Sequence, residues 1–191
     1  MSSGAADFRA LTDAILAENA RVLAQIDPAE AGALLAAIGA ADRIFLLGEG
    51  RSGLAMRMLA MRLMHLGRSA HVVGETTTPP IAPGDLLVAC SGSGETAVTA
   101  LLARQAAAAG ATVAAITAVA ESRLGRLANL RLLLHTPHKG DSSAAPSIQY
   151  GGSLFEQSAM LLGDALFLAL TPPNDAAHGF TTAARRHANL E

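Results

Sequence analysis

Short apolar runs alternate along the chain with longer stretches that have helical periodicity. Five runs have the length of strands that are buried on both faces; they are residues 43–47, 70–73, 85–90, 112–117 and 130–135. Three stretches between them predict helices, at residues 54–66, 95–109 and 121–128. Because strands that alternate with helices form parallel sheets, we predict a doubly wound α/β domain with a five-stranded parallel sheet flanked by helices.

Further helical segments flank this alternation. Residues 5–26 and 28–41 predict two alanine-rich helices, and Pro28 suits the first turn of the second. Residues 153–170 predict the last helix, which a Pro-Pro pair stops. With no internal repeat and no sign of a second domain, we treat residues 1–191 as one domain in three parts: a helical segment 5–41, an α/β core 42–170 and a C-terminal tail 171–191.

Composition narrows the function classes. Hydrophobic residues make up 51% of the chain and charged residues 16%, which excludes disorder and suggests that copies of the chain bury apolar surface against each other. The 14 basic and 16 acidic residues give a net charge of −2, tryptophan is absent and aromatic residues are 3%. We therefore expect no nucleic acid partner, because phosphate neutralisation and base stacking both lack the residues they need.

The remaining composition argues for a cytoplasmic protein without a metal centre. Cys90 is the one cysteine and lies in an apolar run, so we expect a buried, inert thiol rather than a nucleophile or metal ligand. The histidines at 135, 138 and 178 lack metal-ligand spacing. Charged residues interrupt the first 13 positions, so we expect no signal peptide, and Glu156 and Asp164 mark Leu154–Leu170 as a buried helix rather than a membrane span.

A glycine-rich turn follows the first predicted strand. Gly48-Glu-Gly-Arg-Ser-Gly53 has the spacing G-x-G-x-x-G, and Glu75 lies at a suitable distance to bind a ribose hydroxyl. This pattern is compatible with a dinucleotide-binding loop. It is equally compatible with a tight strand-to-helix turn that binds nothing.

A second turn, Ser91-Gly-Ser-Gly-Glu-Thr96, follows the third strand and decides between these alternatives. Small residues let backbone N–H groups face an anion, the start of the next helix adds positive potential, and three hydroxyls supply donors. A dinucleotide site needs no second turn of this kind. We therefore predict a phosphate-binding cradle.

Together the two turns resemble the sugar isomerase (SIS) domain family, and four further segments resemble its 6-phospho-3-hexuloisomerase group. These segments are residues 60–67, 73–79, 152–157 and 187–191. The resemblance implies the strand order 2-1-3-4-5, which would bring both turns side by side, and a homotetramer. Two features depart from the family: Glu49, which we expect to face away from the phosphate, and the polar loop within residues 136–152, whose length is typical of functional loops.

The resemblance implies the interconversion of 3-hexulose 6-phosphate and fructose 6-phosphate, a step of the ribulose monophosphate pathway. The carbonyl moves from C3 to C2 when a base takes a proton from C2 and a proton returns to C3 through an enediol. Such a reaction needs a base, donors for the enediolate and a phosphate clamp. It requires neither a metal nor a redox cofactor, so we expect none.

For the clamp we assign the hydroxyls of Ser52, Ser91, Ser93 and Thr96 and the backbone around Gly48, Gly50 and Gly92. Arg51 is a candidate for stabilising oxyanion charge, because its guanidinium is always protonated. An ordinary surface arginine is the alternative.

Glu156 is our first candidate for the base. Spacing alone favours another role, because Ser153-Leu-Phe-Glu156 matches a capping box in which the glutamate only bonds the cap amide. The resemblance reverses that preference. Glu95, beside the cradle, is the second carboxylate candidate, and interaction with the helix dipole is its equally plausible alternative.

The resemblance also points to His187, which could open a cyclic substrate or carry protons between oxygens. A solvated terminal histidine is the ordinary alternative. We hypothesise that the tail carries His187 into the site of a neighbouring subunit. His65 is expected on the polar arc of its helix, with Arg57, Arg62 and Arg68.

Three rival functions stay open. The first is another SIS isomerase acting on arabinose 5-phosphate, although those enzymes typically carry lysine at the position of Arg51. The second is a non-catalytic sugar-phosphate-sensing module, which would keep Ser91, Ser93 and Thr96 but lose the base. The third is a nicotinamide-binding protein.

Overall fold

A computed structural model describes residues 3–137, 147–177 and 180–189. Its strands are β1 (Ile44–Gly48), β2 (Ala70–Val72), β3 (Leu86–Cys90), β4 (Thr112–Thr117) and β5 (Leu130–Leu133). Its helices are α1 (Ser3–Ala24), α2 (Pro28–Ala40), α3 (Gly50–His65), α4 (Ala97–Ala108), α5 (Arg123–Leu127), α6 (Ser153–Leu170), α7 (Pro173–Ala177) and α8 (Thr181–Ala184). Each predicted strand and helix is present, so the predicted α/β class is confirmed.

The sheet has the strand order β2-β1-β3-β4-β5, and every neighbouring pair is parallel. This is the order that the resemblance implied. The chain moves from β1 to one edge of the sheet and then returns to the other side of β1. The carboxyl ends of β1 and β3 therefore meet at a topological switch point, where doubly wound folds bind ligands.

Alternate strand residues feed two separate cores. Ile44 and Leu46 pack with α2, α3 and α6 on one face of the sheet, whereas Phe45 and Leu47 pack with α4 and α5 on the other. This alternation follows from the two-residue period of a strand. It also explains why the strands read as continuous apolar runs, since both faces are covered.

At both glycine-rich turns the helix begins at a different residue from the predicted one. Helix α3 begins at Gly50 rather than at residue 54, because Gly48 and Gly53 touch backbone to backbone and the chain turns at once into the helix. Helix α4 begins at Ala97 rather than at residue 95, because residues 91–96 fold into a turn closed by the Gly94 N–H donating to the Ser91 carbonyl at 3.0 Å.

Helix α6 is long and apolar enough to span a membrane by length and composition. In the fold it packs against α3 and α1 and buries eight of its residues. Polar contacts lock it in register with α1: Asn19 Nδ2 donates to Gln157 Oε1 at 2.7 Å, and Ser158 Oγ donates to Asn19 Oδ1 at 3.0 Å. The first turn of α6, which carries Glu156, is thereby held against α1.

Candidate active site

A cavity of about 240 Å³ opens at the carboxyl ends of β1 and β3. The two glycine-rich turns and the start of α6 form its walls. Its lining residues are Glu49, Ser52, Cys90, Ser91, Gly92, Ser93, Thr96, Gly152, Phe155 and Glu156. The structure thus brings together, in one small polar cavity, most of the residues that the sequence predicted for the clamp.

Three of the described helices, α3, α4 and α6, begin at this cavity. None of their N-caps (Glu49, Thr96 and Gly152) makes a side-chain capping hydrogen bond. The first amides of a helix need partners, and the helix dipole places positive potential there. Uncapped helix starts that meet at one cavity are typical of anion-binding sites.

The turns require glycine because neighbouring groups pack closely against the backbone or because the φ angle is positive. A Cβ on Gly92 would lie 3.1 Å from the Phe155 ring, and a Cβ on Gly53 would collide with the Gly48 carbonyl. Gly50 and Gly94 adopt φ angles of +57° and +62°, which side chains rarely tolerate. Gly48 and Gly50 thus shape the first turn.

Hydroxyl groups of the second turn line the cavity floor. The Ser91 and Thr96 hydroxyl oxygens lie 3.0 Å apart in a hydrogen bond, and Ser93 Oγ accepts from the Glu95 N–H at 3.2 Å. Within the described chain the amides of Gly92, Ser93 and Thr96 have no backbone partner. A bound phosphate oxygen would satisfy both kinds of donor.

Cys90 lies beneath this floor. Complete burial raises the pKa of its thiol to about 12, and the Ser52 hydroxyl contacts it. The thiol therefore stays protonated and unreactive at neutral pH. The predicted burial of Cys90 is confirmed.

Arg51 and Glu156 form an ion pair at the mouth of the cavity, with Arg51 Nε 2.8 Å from Glu156 Oε2. Glu156 is 22% exposed and Arg51 57%. The capping box expected at this position is not formed, because Gly152 is the N-cap of α6 and makes no side-chain capping bond. The carboxylate is thus directed to Arg51 and the cavity.

Two further acidic residues lie beside the cavity. Glu95 points out of the cavity: its carboxylate lies 2.9 Å from Arg123 Nε and accepts from the Arg123 N–H at 2.8 Å. The tight turn at Gly94 directs it towards the start of α5. Glu49 is exposed, and its expected orientation away from the phosphate stays a prediction. As the N-cap of α3 it contributes to the cavity rim.

The tail places His187 elsewhere, at the C-terminal end of α3. His187 Nδ1 lies 3.3 Å from His65 Nε2. Ser52 and His65 are 13 residues apart on α3, which at the helical rise is about 20 Å. His187 therefore lies too far from the cavity of its own subunit to touch a ligand there. His65 is 4% exposed, so its expected place on a polar arc is wrong.

The other candidates resolve simply. Glu75, considered for a ribose contact, pairs with Arg57. His138 and His178 lie outside the described residues, as does most of the predicted 136–152 loop. Within the described residues no three His, Cys, Asp or Glu side chains are grouped for a metal ion. Sequence reasoning missed two features of the site. One is the pair of hydrogen bonds from Asn19 to α6, and the other is the Phe155 ring, which lines the cavity beside Gly92. Nothing in the local sequence around either residue signals these contacts.

Comparison with known proteins identifies the fold family. The sequence model of the SIS domain matches residues 37–157, which include both turns and Glu156. The chain belongs to the SIS domain family. Among SIS relatives, the 3-hexulose-6-phosphate isomerase of Mycobacterium gastri is 43% identical over 175 residues, covering 91% of this chain and 86% of that protein. The enzyme of the same name from Bacillus subtilis is 42% identical over 180 residues, covering 93% and 95%.

Solved SIS structures superpose closely. A Methanococcus jannaschii protein, whose crystal structure is described as inferring a 3-hexulose-6-phosphate isomerase function, has a TM-score of 0.80 and 29% identity, covering 94% of this chain and 98% of that one. A Vibrio vulnificus NanR protein complexed with ManNAc-6P has a TM-score of 0.72 at 22% identity, covering 96% of this chain and 67% of that one. The second likeness shows the shared fold alone.

Proposed function

We propose that this SIS protein is an isomerase that interconverts D-arabino-hex-3-ulose 6-phosphate and fructose 6-phosphate. The observation that carries the proposal is the cavity at which three uncapped helix starts meet beside one ion pair, Arg51 and Glu156. Relatives named 3-hexulose-6-phosphate isomerase match most of the chain. We further propose that the enzyme acts in the cytoplasm, where phosphorylated sugars are metabolised.

The phosphate binds in the cradle formed by the two turns. The hydroxyls of Ser52, Ser91, Ser93 and Thr96 and the amides around Gly92 donate to its oxygens. Each donor to a charged oxygen contributes roughly 1.5–3 kcal/mol. Because the cradle holds the phosphate at one end of the sugar, the reacting carbons extend towards Arg51 and Glu156 at the mouth.

Glu156 acts as the base that moves the proton between C2 and C3. It takes the proton from C2 of the 3-ketose and returns it to C3, and the second proton passes from O2 to O3. Arg51 has two roles. Before the reaction it holds the carboxylate of Glu156 at 2.8 Å, and during the reaction it stabilises the enediolate oxygens as their charge develops. We do not assign Glu95 a role, because Arg123 occupies its carboxylate.

His187 completes the site of a neighbouring subunit in our proposal. The exposed side chains of Leu54, Met58, Met61 and Met64 form an apolar strip, called here the α3 strip, which runs from the Arg51 end to the His65 end. A second copy laid antiparallel across the α3 strip would bring its own His187 to the first copy's Arg51 and Glu156. The homotetramer implied by the family resemblance provides such a pairing.

The activity is tested with purified protein and 3-hexulose 6-phosphate, with fructose 6-phosphate measured through a coupled dehydrogenase. We expect turnover without added metal. If the protein turned over arabinose 5-phosphate in preference to the hexulose, it would be an arabinose 5-phosphate isomerase instead. Tight binding of either sugar without turnover would make it a sensing module.

The shared site is tested by mixing two impaired variants, Glu156→Gln and His187→Gln. If each site combines Glu156 of one subunit with His187 of another, randomly mixed dimeric units regain about a quarter of the wild-type sites. If both residues act within one chain, the mixture regains nothing. Glu156→Gln mixed with itself is the matched control.

A further inference from the structure

His65 and His187 meet in a cavity of about 730 Å³ at the C-terminal end of α3. Their facing nitrogens, His65 Nε2 and His187 Nδ1, are 3.3 Å apart, and the ring centroids are 5.2 Å apart with 34° between the planes. His65 is almost fully buried, whereas His187 is exposed. One ring is therefore fixed in the protein, and the other presents its far nitrogen, Nε2, to the outside.

The tail is held in place by its own arginine. Arg186 Nη1 donates to the His65 carbonyl at 3.2 Å, at the end of α3 where the helix dipole favours a cation. Gly67, with φ of +79°, leaves room for this guanidinium, since a Cβ there would lie 2.9 Å from Arg186 Nη2. His187, the next residue, is thereby anchored beside His65 rather than left as a solvated terminus.

The surroundings keep His65 uncharged. Burial lowers its pKa, and electrostatic interaction with His187 and Arg62 lowers it further. Arg62 lies on the same helix and stacks on the Phe167 ring. It also contacts Asp164 Oδ1 at 3.3 Å, so the Asp164 carboxylate is paired with Arg62. Arg186 adds a second cation from the tail. A neutral His65 has one ring nitrogen that can accept a hydrogen bond.

We propose that His65 is a positioning residue, which holds His187 in the Nδ1–H tautomer so that its exposed Nε2 is free to accept a proton from substrate. The inference rests on the proposed function of His187. When Nε2 of His187 takes the proton from O2, the ring carries protons on both nitrogens, and its Nδ1–H needs an acceptor. His65 Nε2 supplies one at 3.3 Å. The proton then passes to O3, and the pair returns to its starting state.

The test compares His65→Leu, which removes the acceptor, with His65→Gln, whose amide oxygen can replace it. We expect His65→Leu to lower kcat roughly 10- to 100-fold, as removal of such supporting partners does elsewhere, with little change in KM. His65→Gln should recover most of kcat. His71→Gln is the matched control, because that imidazole lies on β2 and bonds Ser69 Oγ.

Long-range proton–nitrogen spectra of the histidine imidazoles provide a readout that lost stability alone would not move. Wild-type His187 should show the Nδ1–H tautomer, and His65→Leu should return it to the Nε2–H form that free imidazole side chains prefer in water. An Nε2–H tautomer in wild type would overturn the inference. The inference would also be overturned if folded His65→Leu kept its kcat while His187→Gln was impaired. That result would leave the proposed function intact. Full activity of His187→Gln would remove both the inference and the proposed role of His187, and would leave the proposed isomerase activity standing.

Discussion

The two ends of helix α3 are built for opposite electrostatic tasks. Its N-terminal end, at Gly50 to Ser52, lacks a side-chain cap and opens into the polar cavity. Its C-terminal end is closed by Arg186 and lined by His65 and aromatic rings. The helix dipole explains this difference, since it favours an anion at the N-terminal end of α3 and a cation at the C-terminal end.

This difference teaches how one rigid element can carry both halves of an active site without joining them in one subunit. Helix α3 packs against α6 and the sheet, so the distance between its ends is fixed. In our proposal, phosphate binding therefore belongs to one end and the tail histidine to the other. Each variant below should affect one end and spare the other.

The largest effect is expected from Glu156→Gln. Removing the proposed base should lower kcat about 10²- to 10⁴-fold, the range that general acid–base groups contribute. The protein should stay folded, because the pair with Arg51 is partly exposed. Steady-state kinetics with circular dichroism as the folding check measures both.

Ser153→Ala is the control for this experiment. Ser153 makes no capping bond, so its replacement should leave kcat near the wild-type value. If both variants lost only stability and kept the rate, Glu156 would be a structural carboxylate.

The next largest effect is expected from Ser91→Ala at the phosphate cradle. Loss of one hydroxyl donor to a charged oxygen should weaken binding roughly tenfold or more. KM for the sugar phosphate, and the inhibition constant of inorganic phosphate, should rise together. Ser69→Ala, outside the cradle, is the matched control, and equal effects in both variants would contradict the assignment.

Arg186→Met sharpens the comparison from the other end. It removes the cation at the C-terminus of α3 and the anchor of His187, so we expect kcat to fall while inhibition by inorganic phosphate is unchanged. The unfolding free energy should drop by about 0.3–1 kcal/mol. A changed phosphate affinity would show that the two ends are not independent.

The smallest effect is a pH dependence of stability at the C-terminal end. Because the pKa of His65 is lowered from 6.5 in the folded protein, the unfolded chain binds the proton first as the pH falls. Stability from this group is complete above about pH 6.5 and declines as the pH falls towards the folded pKa. Urea unfolding at pH 7.5 and 5.5 should show a larger loss in wild type than in His65→Gln, and equal losses would refute the assignment.

Local pattern was sufficient for much of the site. The two turns could be predicted because Gly48, Gly53 and Gly94 occupy positions where backbone contact or a positive φ excludes side chains. The hydroxyls of the second turn follow from their place after a buried strand. In contrast, the Arg123 contacts of Glu95 and the burial of His65 were not predicted, because Arg123 and the tail that engage these residues lie far along the chain.

The amino-acid sequence by itself determined the parallel α/β architecture and the two glycine-rich turns, because both depend on periodicity and on residues that are neighbours in the chain. Only the tertiary structure decided that Glu156 meets Arg51 instead of capping its helix, and that His187 docks on His65. Such contacts join residues more than 100 positions apart. Their geometry depends on how whole helices pack, which no local pattern encodes.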